Sequence, residues 1–301
     1  MLFAICFALV ECKKPETPAQ TENNPPTAEE FQNLMNQSLS SKKQSATFIA
    51  EDGFTFTSTK GVTLQVFPNA LTYNGQAVTG QVDLEFTEFF GRGAMAVSNV
   101  TTIGTDTTGQ KQLLTSGGTF LIKAYQNGNE LSCVNGMMLK VPASLTGGVN
   151  PLMKPFVGNI ESNGNLNWIE LFGSDFFVLS TDGTYNALLS NFGWFNCDIF
   201  ISFPNKGQIN VQVPEGYNAQ NSTVFASVMN MPNTLSCLFT NADYYPINQT
   251  VHLIFVSVQN SQYVYSIKSI VVEAENNVTF SSQDLQTTSE ENLTQLINNL
   301  P

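Results

Sequence analysis

The chain has 301 residues, of which 42% are hydrophobic and only 12% are charged, and its formal net charge is −12 at pH 7. Asp and Glu outnumber Lys and Arg by 24 to 12, and no basic cluster occurs beyond the pairs Lys13-Lys14 and Lys42-Lys43. This balance argues against nucleic acid and against anionic membrane surfaces as partners. The length leaves room for about two domains.

The first 12 residues have the layout of a bacterial export signal. An apolar run from Leu2 to Val10 is far shorter than the ~20 residues that span a bilayer, and it is followed closely by Cys12. The tetrapeptide from Leu9 to Cys12 resembles a lipobox, the recognition site of lipoprotein signal peptidase, with Glu11 where that site has a small residue. The resemblance implies that residues 1–12 are a signal peptide and that Cys12 is the lipidation site.

The residues after the cysteine point to a particular kind of lipoprotein. Lys13 and Lys14 resemble the start of many lipoproteins of Bacteroidota. The expected location is therefore the cell envelope, with the protein anchored to the outer membrane through its lipid, on the periplasmic or the surface face. An ordinary secretory signal with an incidental cysteine, and a cytosolic protein, are the alternatives.

Residues 13–45 have the composition of a disordered tether. Pro15, Pro18, Pro25 and Pro26 lie among Thr, Glu, Gln and Asn, and this stretch has too little apolar surface to fold alone. A short amphipathic turn is expected around residues 29–34.

Residues 46–145 predict an antiparallel β-domain, because their hydrophobic pattern has a period of two. Val82, Leu84 and Phe86 alternate with polar side chains and therefore predict a half-buried strand. Asn-Gly pairs, a strong signal for tight hairpin turns, begin at Asn74, Asn127 and Asn135. Further candidate strands are 54–59, 63–66, 119–125 and 138–141.

Part of this domain resembles a known family. Residues 61–71, the Asn-Gly pair at 74–75 and residues 78–84 are similar to the opening of ZU5-like β-domains, and residues 114–120 are similar to a later hairpin of that group. Related segments recur in uncharacterised lipoproteins of Bacteroidota. The resemblance implies a β-domain that acts in interaction or scaffolding, and it implies no catalytic activity.

Residues 146–195 are expected to form a connector rich in Gly and Asn, with one or two helical turns at 185–189. Residues 196–286 predict a second β-sandwich domain, in which Asn260 and Ser261 join two strands as a hairpin. Its candidate strands are 208–213, 223–229, 235–240, 251–258 and 263–272.

Residues 287–301 predict a short amphipathic helix. Residues 288–291 have the spacing of a capping box, and Leu293, Leu296, Ile297 and Leu300 recur at helical spacing. The predicted fold is therefore all-β, with two antiparallel β-sandwich-like domains and a C-terminal helix.

The most specific internal string is Gly-Trp-Phe-Asn-Cys-Asp at 193–198, which resembles a motif of uncharacterised proteins of the same bacterial group. Two interpretations are open. Trp194 could stack on a sugar whose hydroxyls Asn196 and Asp198 bind. Alternatively, Trp194 and Phe195 anchor an interdomain core while Asn196 and Asp198 cap a turn, which we favour because aromatic side chains usually fill cores.

Beyond the leader the chain has three cysteines, Cys133, Cys197 and Cys237. A disulfide between Cys197 and Cys237, which fall in the same predicted domain, is one expectation. Three buried thiols are the other, and the spacing offers no zinc motif.

The tripeptide that begins at Asp106 resembles the O-glycosylation sequon of Bacteroidota, which implies that Thr107 is an acceptor.

The remaining candidates for chemistry are one histidine and a few carboxylates. His252 lies in a strand that is apolar on both faces, and no Gly-x-Ser-x-Gly elbow accompanies it. Asp83, Glu85 and Glu88 lie near one strand, with Asp83 and Glu85 on the same polar face. These carboxylates, or Asp198, could serve a hydrolase, although a solvated strand face is the ordinary interpretation. No P-loop, dinucleotide fingerprint, EF-hand loop or metalloprotease helix occurs, so neither a cofactor nor a metal is predicted.

We therefore expect a lipid-anchored, non-catalytic protein with a binding or envelope-structural role. Its partners would be the membrane, through the lipid, and a glycan or an envelope protein. The alternatives are a carbohydrate-binding or adhesion lipoprotein and a carboxylate-dependent, glycosidase-like hydrolase.

Overall fold

A computed structural model describes residues 24–134, 136–161, 164–172, 178–181, 183–238 and 244–301, and for 178–181 and Tyr244 it describes the backbone alone. The signal peptide, Cys12 and most of the expected tether lie outside the described residues. The same holds for Asn135.

The described residues form many short strands and a few helices, which follow one another along the chain. The first part contains α1 (Ala28–Ser41), β1 (Gln44–Ile49), β2 (Phe54–Thr57), β3 (Thr63–Val66), β4 (Leu71–Tyr73), β5 (Gln76–Ala77), β6 (Gln81–Phe89), α2 (Arg92–Val97), β7 (Ile103–Thr105) and β8 (Lys111–Gln126). The middle part contains β9 (Asn129–Glu130), β10 (Ser132–Cys133), β11 (Met137–Pro142), β12 (Lys154–Ile160), β13 (Leu166–Glu170), β14 (Val178–Thr181), β15 (Thr184–Leu189) and β16 (Gly193–Phe200). The last part contains β17 (Lys206–Gln212), β18 (Thr223–Val228), β19 (Ser236–Cys237), β20 (Tyr244–Pro246), β21 (Thr250–Gln259), β22 (Gln262–Val271), β23 (Glu275–Thr279), β24 (Gln286–Thr288) and α3 (Glu290–Asn298).

The first β-sandwich has sheet I and sheet II on either side of one core. Sheet I follows the order β1-β6-β8-β16-β12-β13-β7, and sheet II follows the order β14-β15-β11-β3-β2. The long strand β8 pairs with both β16 and β7, so sheet I closes on itself through β12 and β13. Between the sheets, Leu84, Phe86, Phe120, Leu64 and Leu139 are almost fully buried. We call this the first core.

The second β-sandwich contains sheet III, in the order β19-β18-β21-β22-β24, and sheet IV, in the order β20-β17-β23. The core that it encloses includes Val224, Phe255 and Phe280. Most pairings are antiparallel, and β13–β7 and β17–β23 are parallel.

A third core, which we call the junction core, joins the two sandwiches. It combines Trp168 and Phe156 of sheet I with Ile254 of sheet III. The three helices of the described residues also supply apolar side chains to it, namely Phe31 and Met35 of α1, Met95 and Val97 of α2, and Leu293 and Ile297 of α3. Close packing requires a glycine at position 158, since a Cβ at Gly158 would lie 2.5 Å from the Cβ of Trp194.

The predicted all-β fold with a short C-terminal helix is confirmed. The helix α3 begins after Ser289, whose side chain accepts a hydrogen bond from the Asn292 amide, one residue later than the expected cap. Leu293 and Ile297 of its apolar stripe are buried, whereas Leu296 is 43% exposed. The β21–β22 hairpin turns at Asn260 and Ser261, as the sequence predicts.

The structure differs from the expected tether. Residues 28–41 form the helix α1, because Thr27 and Glu30 make a reciprocal capping box and because Phe31 and Met35 pack into the junction core. The polar, proline-rich composition of the segment predicted disorder, and the sequence indicated only one amphipathic turn of this helix.

The expected domain boundaries also differ from the structure. The segment 146–195 contains β12, β13, β14 and β15 and so belongs to the first sandwich. Residues 185–189 are strand rather than helix, since Tyr185, Ala187 and Leu189 alternate into the first core. The boundary expected at residue 196 falls inside β16, which lies between β8 and β12 in sheet I.

None of the helices in the described ranges is both long enough and apolar enough to span a bilayer.

Candidate functional site

The string at 193–198 forms β16, which lies between β8 and β12. The two faces of sheet I meet different cores, so alternate residues of β16 belong to different cores. Trp194 packs against the junction core, whereas Phe195 and Cys197 lie in the first core. The register with β8 shifts between Asn196, opposite Thr119, and Asp198, opposite Ser116. Gly117 and Gly118 on β8 supply this bulge, and Gly118 has a φ of 132°, a backbone conformation that favours glycine.

Trp194 contributes to an aromatic cluster in the junction core. Its ring centroid lies 6.4 Å from that of Phe89 and 6.3 Å from that of Trp168, the latter in an edge-to-face arrangement. Trp168 is completely buried, and its Nε1 donates a hydrogen bond to the Thr101 carbonyl at 2.7 Å. Trp194 is partly buried, and its ring contacts are with β6 and β13 of sheet I, on the side that faces the junction core.

Asn196 and Asp198 are fully buried and form one polar network with Ser116. The Ser116 hydroxyl donates to Asn196 Oδ1 at 2.8 Å, and Asn196 Nδ2 donates to Asp198 Oδ2 at 2.6 Å. Asp198 Oδ1 has no hydrogen-bond partner among the described residues. Burial raises the pKa of Asp198 well above its ordinary value of 3.8, against the opposing effect of these hydrogen bonds.

This network lies inside the sheet and is closed to solvent. Both side chains project from a paired strand, so the expected turn-capping role is wrong. Of the two expected interdomain anchors, Trp194 packs against the junction core, whereas Phe195 lies in the first core. A sugar cannot reach Asn196 or Asp198 in this arrangement, because both residues have 0% exposure.

The three cysteines are buried, and none of them forms a disulfide. Cys197 lies in the first core and Cys237 in the junction core, so the expected pair belongs to different cores. Burial, reinforced by the neighbouring Asp198, raises the pKa of the Cys197 thiol. Its low thiolate content makes Cys197 a poor nucleophile.

The carboxylates of β6 do not face one another. Asp83 and Glu85 alternate with core residues, whereas Glu88 lies on the opposite face of the strand. Glu85 pairs with Lys43 at 2.5 Å. Glu88 accepts a hydrogen bond from the Ser58 hydroxyl at 2.8 Å. This geometry does not provide the opposed pair of carboxylates that a glycosidase needs.

His252, on β21, is 2% exposed and lies against the segment that follows α3. Its Nδ1 is 2.7 Å from the Ser269 hydroxyl, and its Nε2 is 3.2 Å from the Pro301 backbone oxygen. Burial, with the Arg92 charge adding to it, lowers the pKa of His252, so the ring is neutral at pH 7. No carboxylate among the described residues orients this ring as in a catalytic triad.

Arg92, which no sequence motif singled out, occupies the same region and is 1% exposed. Its guanidinium donates to the Ile297 carbonyl at 3.0 Å, to the Ser227 hydroxyl at 2.8 Å and to the Leu300 carbonyl. A lone charged residue within the apolar and small residues 89–97 was the available sequence signal.

Thr107 lies at the exposed tip of the β7–β8 turn. The preceding Asp106 organises this turn, because its Oδ1 accepts hydrogen bonds from the Thr108 amide at 2.8 Å and from the Gln110 amide at 3.0 Å. The Thr107 side chain is therefore accessible to a modifying enzyme.

Among the described residues, no group of three or more His, Cys, Asp or Glu side chains is arranged to hold a metal ion. No protein-family model matches the chain, and no curated protein matches it significantly.

Proposed function

We propose that this protein is a lipid-anchored, extracytoplasmic module with a non-catalytic binding or envelope-structural role. The observation that carries the proposal is that the side chains that could act in catalysis are buried or bound to neighbouring side chains. Asn196, Asp198 and His252 are buried within the fold, and Glu85 and Glu88 are held by neighbouring side chains on opposite faces of one strand. These contacts stabilise the fold, so we expect other residues, exposed on the surface, to bind the partner. The resemblance of residues 61–84 to ZU5-like interaction modules supports the same role.

The anchor in this proposal is Cys12, in a cell envelope of the Bacteroidota type. Asn24, the first described residue, is exposed, so the chain can enter the fold from outside. A fully extended segment from Cys12 to Asn24 would span roughly 40 Å. The lipid would hold the two sandwiches within that distance of the outer membrane. Thr107, at its exposed turn, is the proposed O-glycosylation site.

Replacing Cys12 tests the anchor. We expect that Cys12→Ser moves the protein from the membrane fraction to the soluble fraction and abolishes incorporation of a radiolabelled fatty acid, because the serine hydroxyl is not a substrate for lipid transfer. The measurement is cell fractionation with immunoblotting, together with the acyl label.

The matched control is Cys6→Ser, the same chemical change within the apolar run of the leader. This variant should remain in the membrane fraction and keep the label. A Cys12→Ser protein that stays labelled and membrane-bound would show that the anchor has been assigned to the wrong residue.

Carbohydrate binding is the particular binding role that the surface favours, because a groove between α1 and the β21–β22 hairpin is lined by exposed carboxamides. The hydrolase alternative has no such support, because Glu88 lies on the face of β6 opposite to Asp83 and Glu85, and Glu85 is paired with Lys43.

A further inference from the structure

A groove of about 500 Å³ lies between α1, the segment that precedes it and the tip of the β21–β22 hairpin. Its volume is within the range of ordinary ligand sites. Asn33, Leu34 and Gln37 of α1 form one side, and Asn260 and Ser261 of the hairpin turn lie across from them. Pro25 and Pro26 contribute a further part of the lining. None of these residues was singled out for binding by the sequence motifs.

The walls of the groove are held by specific contacts. Asn221 is 7% exposed, and its Nδ2 donates to the Pro26 carbonyl at 2.9 Å and to the Gly216 carbonyl at 3.0 Å. The Ser257 hydroxyl in turn donates to the Asn221 carbonyl at 2.7 Å. These bonds attach the segment before α1 to sheet III, so the groove is part of the folded structure.

The hairpin turn at the groove holds a serine in a backbone conformation that favours glycine. The turns at Asn74-Gly75, Asn127-Gly128 and Asn260-Ser261 each join two paired strands, and both turn residues have positive φ. The first two turns have glycine at the second position, where a positive φ carries little steric cost. The third turn has Ser261 with φ 60°. A non-glycine residue held in such a conformation is a feature that recurs at functional sites.

The polar groups of the groove are available to a ligand. Asn33 and Gln37 are one helical turn apart and exposed, as are Asn260 and Ser261. None of these four side chains has a hydrogen-bond partner within the described ranges. Each carboxamide can donate and accept at the same time, which matches a pair of adjacent sugar hydroxyls.

The charge and shape of the groove favour an uncharged ligand. Glu30 is the charged side chain of its lining, and its Oε2 is occupied by the Thr27 amide at 2.8 Å. Leu34, Pro25 and Pro26 supply apolar surface for the C–H face of a sugar ring. A peptide that adds a strand needs an open edge, whereas β21 and β22 are paired with each other as far as Gln259 and Gln262.

We propose that this groove binds a neutral oligosaccharide, with Asn33, Gln37, Asn260 and Ser261 as its polar contacts. The assignment rests on the non-catalytic binding role proposed above and names the ligand class for it. The hydroxyl of Ser261, whose backbone is left-handed, takes part in this binding.

Titration calorimetry of the full chain tests the assignment, with maltohexaose, cellohexaose and mannohexaose as neutral probes and hexagalacturonate as a charged one. We expect saturable binding of at least one neutral probe with a Kd of about 1 mM or lower, and no binding of hexagalacturonate.

Gln37→Ala should weaken the binding of that neutral probe about fivefold, the effect of one lost hydrogen bond. Ser261→Gly should weaken it to a similar extent while raising the Tm by about 2 °C, because the strained residue is removed.

The matched control is Gln32→Ala, which removes an exposed carboxamide from the same helix that hydrogen-bonds to Asn36 instead of lining the groove. Its affinity should equal that of the unmodified chain. The assignment is overturned by the absence of binding of all three neutral probes, by equal binding of hexagalacturonate, or by unchanged affinity in both groove variants. Such results would leave the lipid anchor untouched, since the Cys12→Ser experiment tests that separately.

Discussion

The buried carboxyl of Asp198 makes the stability of the protein depend on pH. Because burial raises the pKa of Asp198 in the folded protein, the folded protein keeps a proton that the unfolded chain releases above about pH 4. The contribution of this proton to the free energy of unfolding is complete below about pH 4. It is lost as the pH rises toward the folded-state pKa.

Asp198→Asn should therefore become more stabilising as the pH rises. Asparagine retains an oxygen for the hydrogen bond from Asn196 and cannot ionise. We expect the Tm of the variant, relative to the unmodified chain, to increase between pH 4 and pH 8 in differential scanning fluorimetry. Asp83→Asn, on the exposed face of β6, is the control and should show no such trend. Parallel Tm curves for Asp198→Asn and the unmodified chain would refute the buried, protonated carboxyl.

At the residue level, the sequence indicated which side chains were unusual better than it indicated what they do. The string at 193–198 was identified as specific. That its alternate residues face two different cores could not be known without the strands that pair with it. Arg92 was missed because its partners, at residues 227, 297 and 300, are distant in sequence.

At the level of elements, Arg92 links α2 to the end of α3. Its guanidinium donates in three directions, to two carbonyls of the C-terminal segment and to Ser227 of β18. A lysine carries the same charge but lacks this planar fork, so some of these oxygens would lose their partner. A buried charge with incomplete partners is strongly destabilising.

Arg92→Lys should lower the free energy of unfolding in urea by about 3 kcal/mol, and it should accelerate amide hydrogen exchange in α3. Lys111→Ala is the control, because Lys111 forms a partly exposed ion pair with Glu161 and should cost less than about 1 kcal/mol. If Arg92→Lys cost no more than this control, the link between Arg92 and α3 would be unimportant for stability.

Elements with local signals could be predicted from the sequence. The alternation in β6, the Asn-Gly turns at 74–75 and 127–128 and the apolar stripe of α3 are short-range patterns, and the structure contains each of these elements. The strands β12 to β15 and the helix α1 were missed because Gly, Asn and Pro weaken the local pattern there. Their pairing and burial come from residues far along the chain. The groove could not be predicted either, since its two sides are about 220 residues apart in the sequence.

At the level of the whole molecule, the junction core makes the two sandwiches interdependent. Its members come from sheet I, sheet III and all the described helices, so neither sandwich can bury its facing surface alone. The domain organisation expected from the sequence, with a connector at 146–195, would instead allow two independent units. We therefore expect the two sandwiches to unfold as one cooperative unit, with Trp194 packed against the core that they share.

Scanning calorimetry of the protein and of Trp194→Ala tests this cooperativity most directly. We expect one transition whose calorimetric and van't Hoff enthalpies agree. Trp194→Ala should shift that whole transition downward by about 5 °C, because it removes a large side chain from a shared core. Phe172→Ala, at a side chain that is 63% exposed, is the control and should leave the Tm unchanged. Two transitions of which only one moves, or an unchanged Tm for Trp194→Ala, would contradict the single cooperative unit and return Trp194 to the candidate ligand residues.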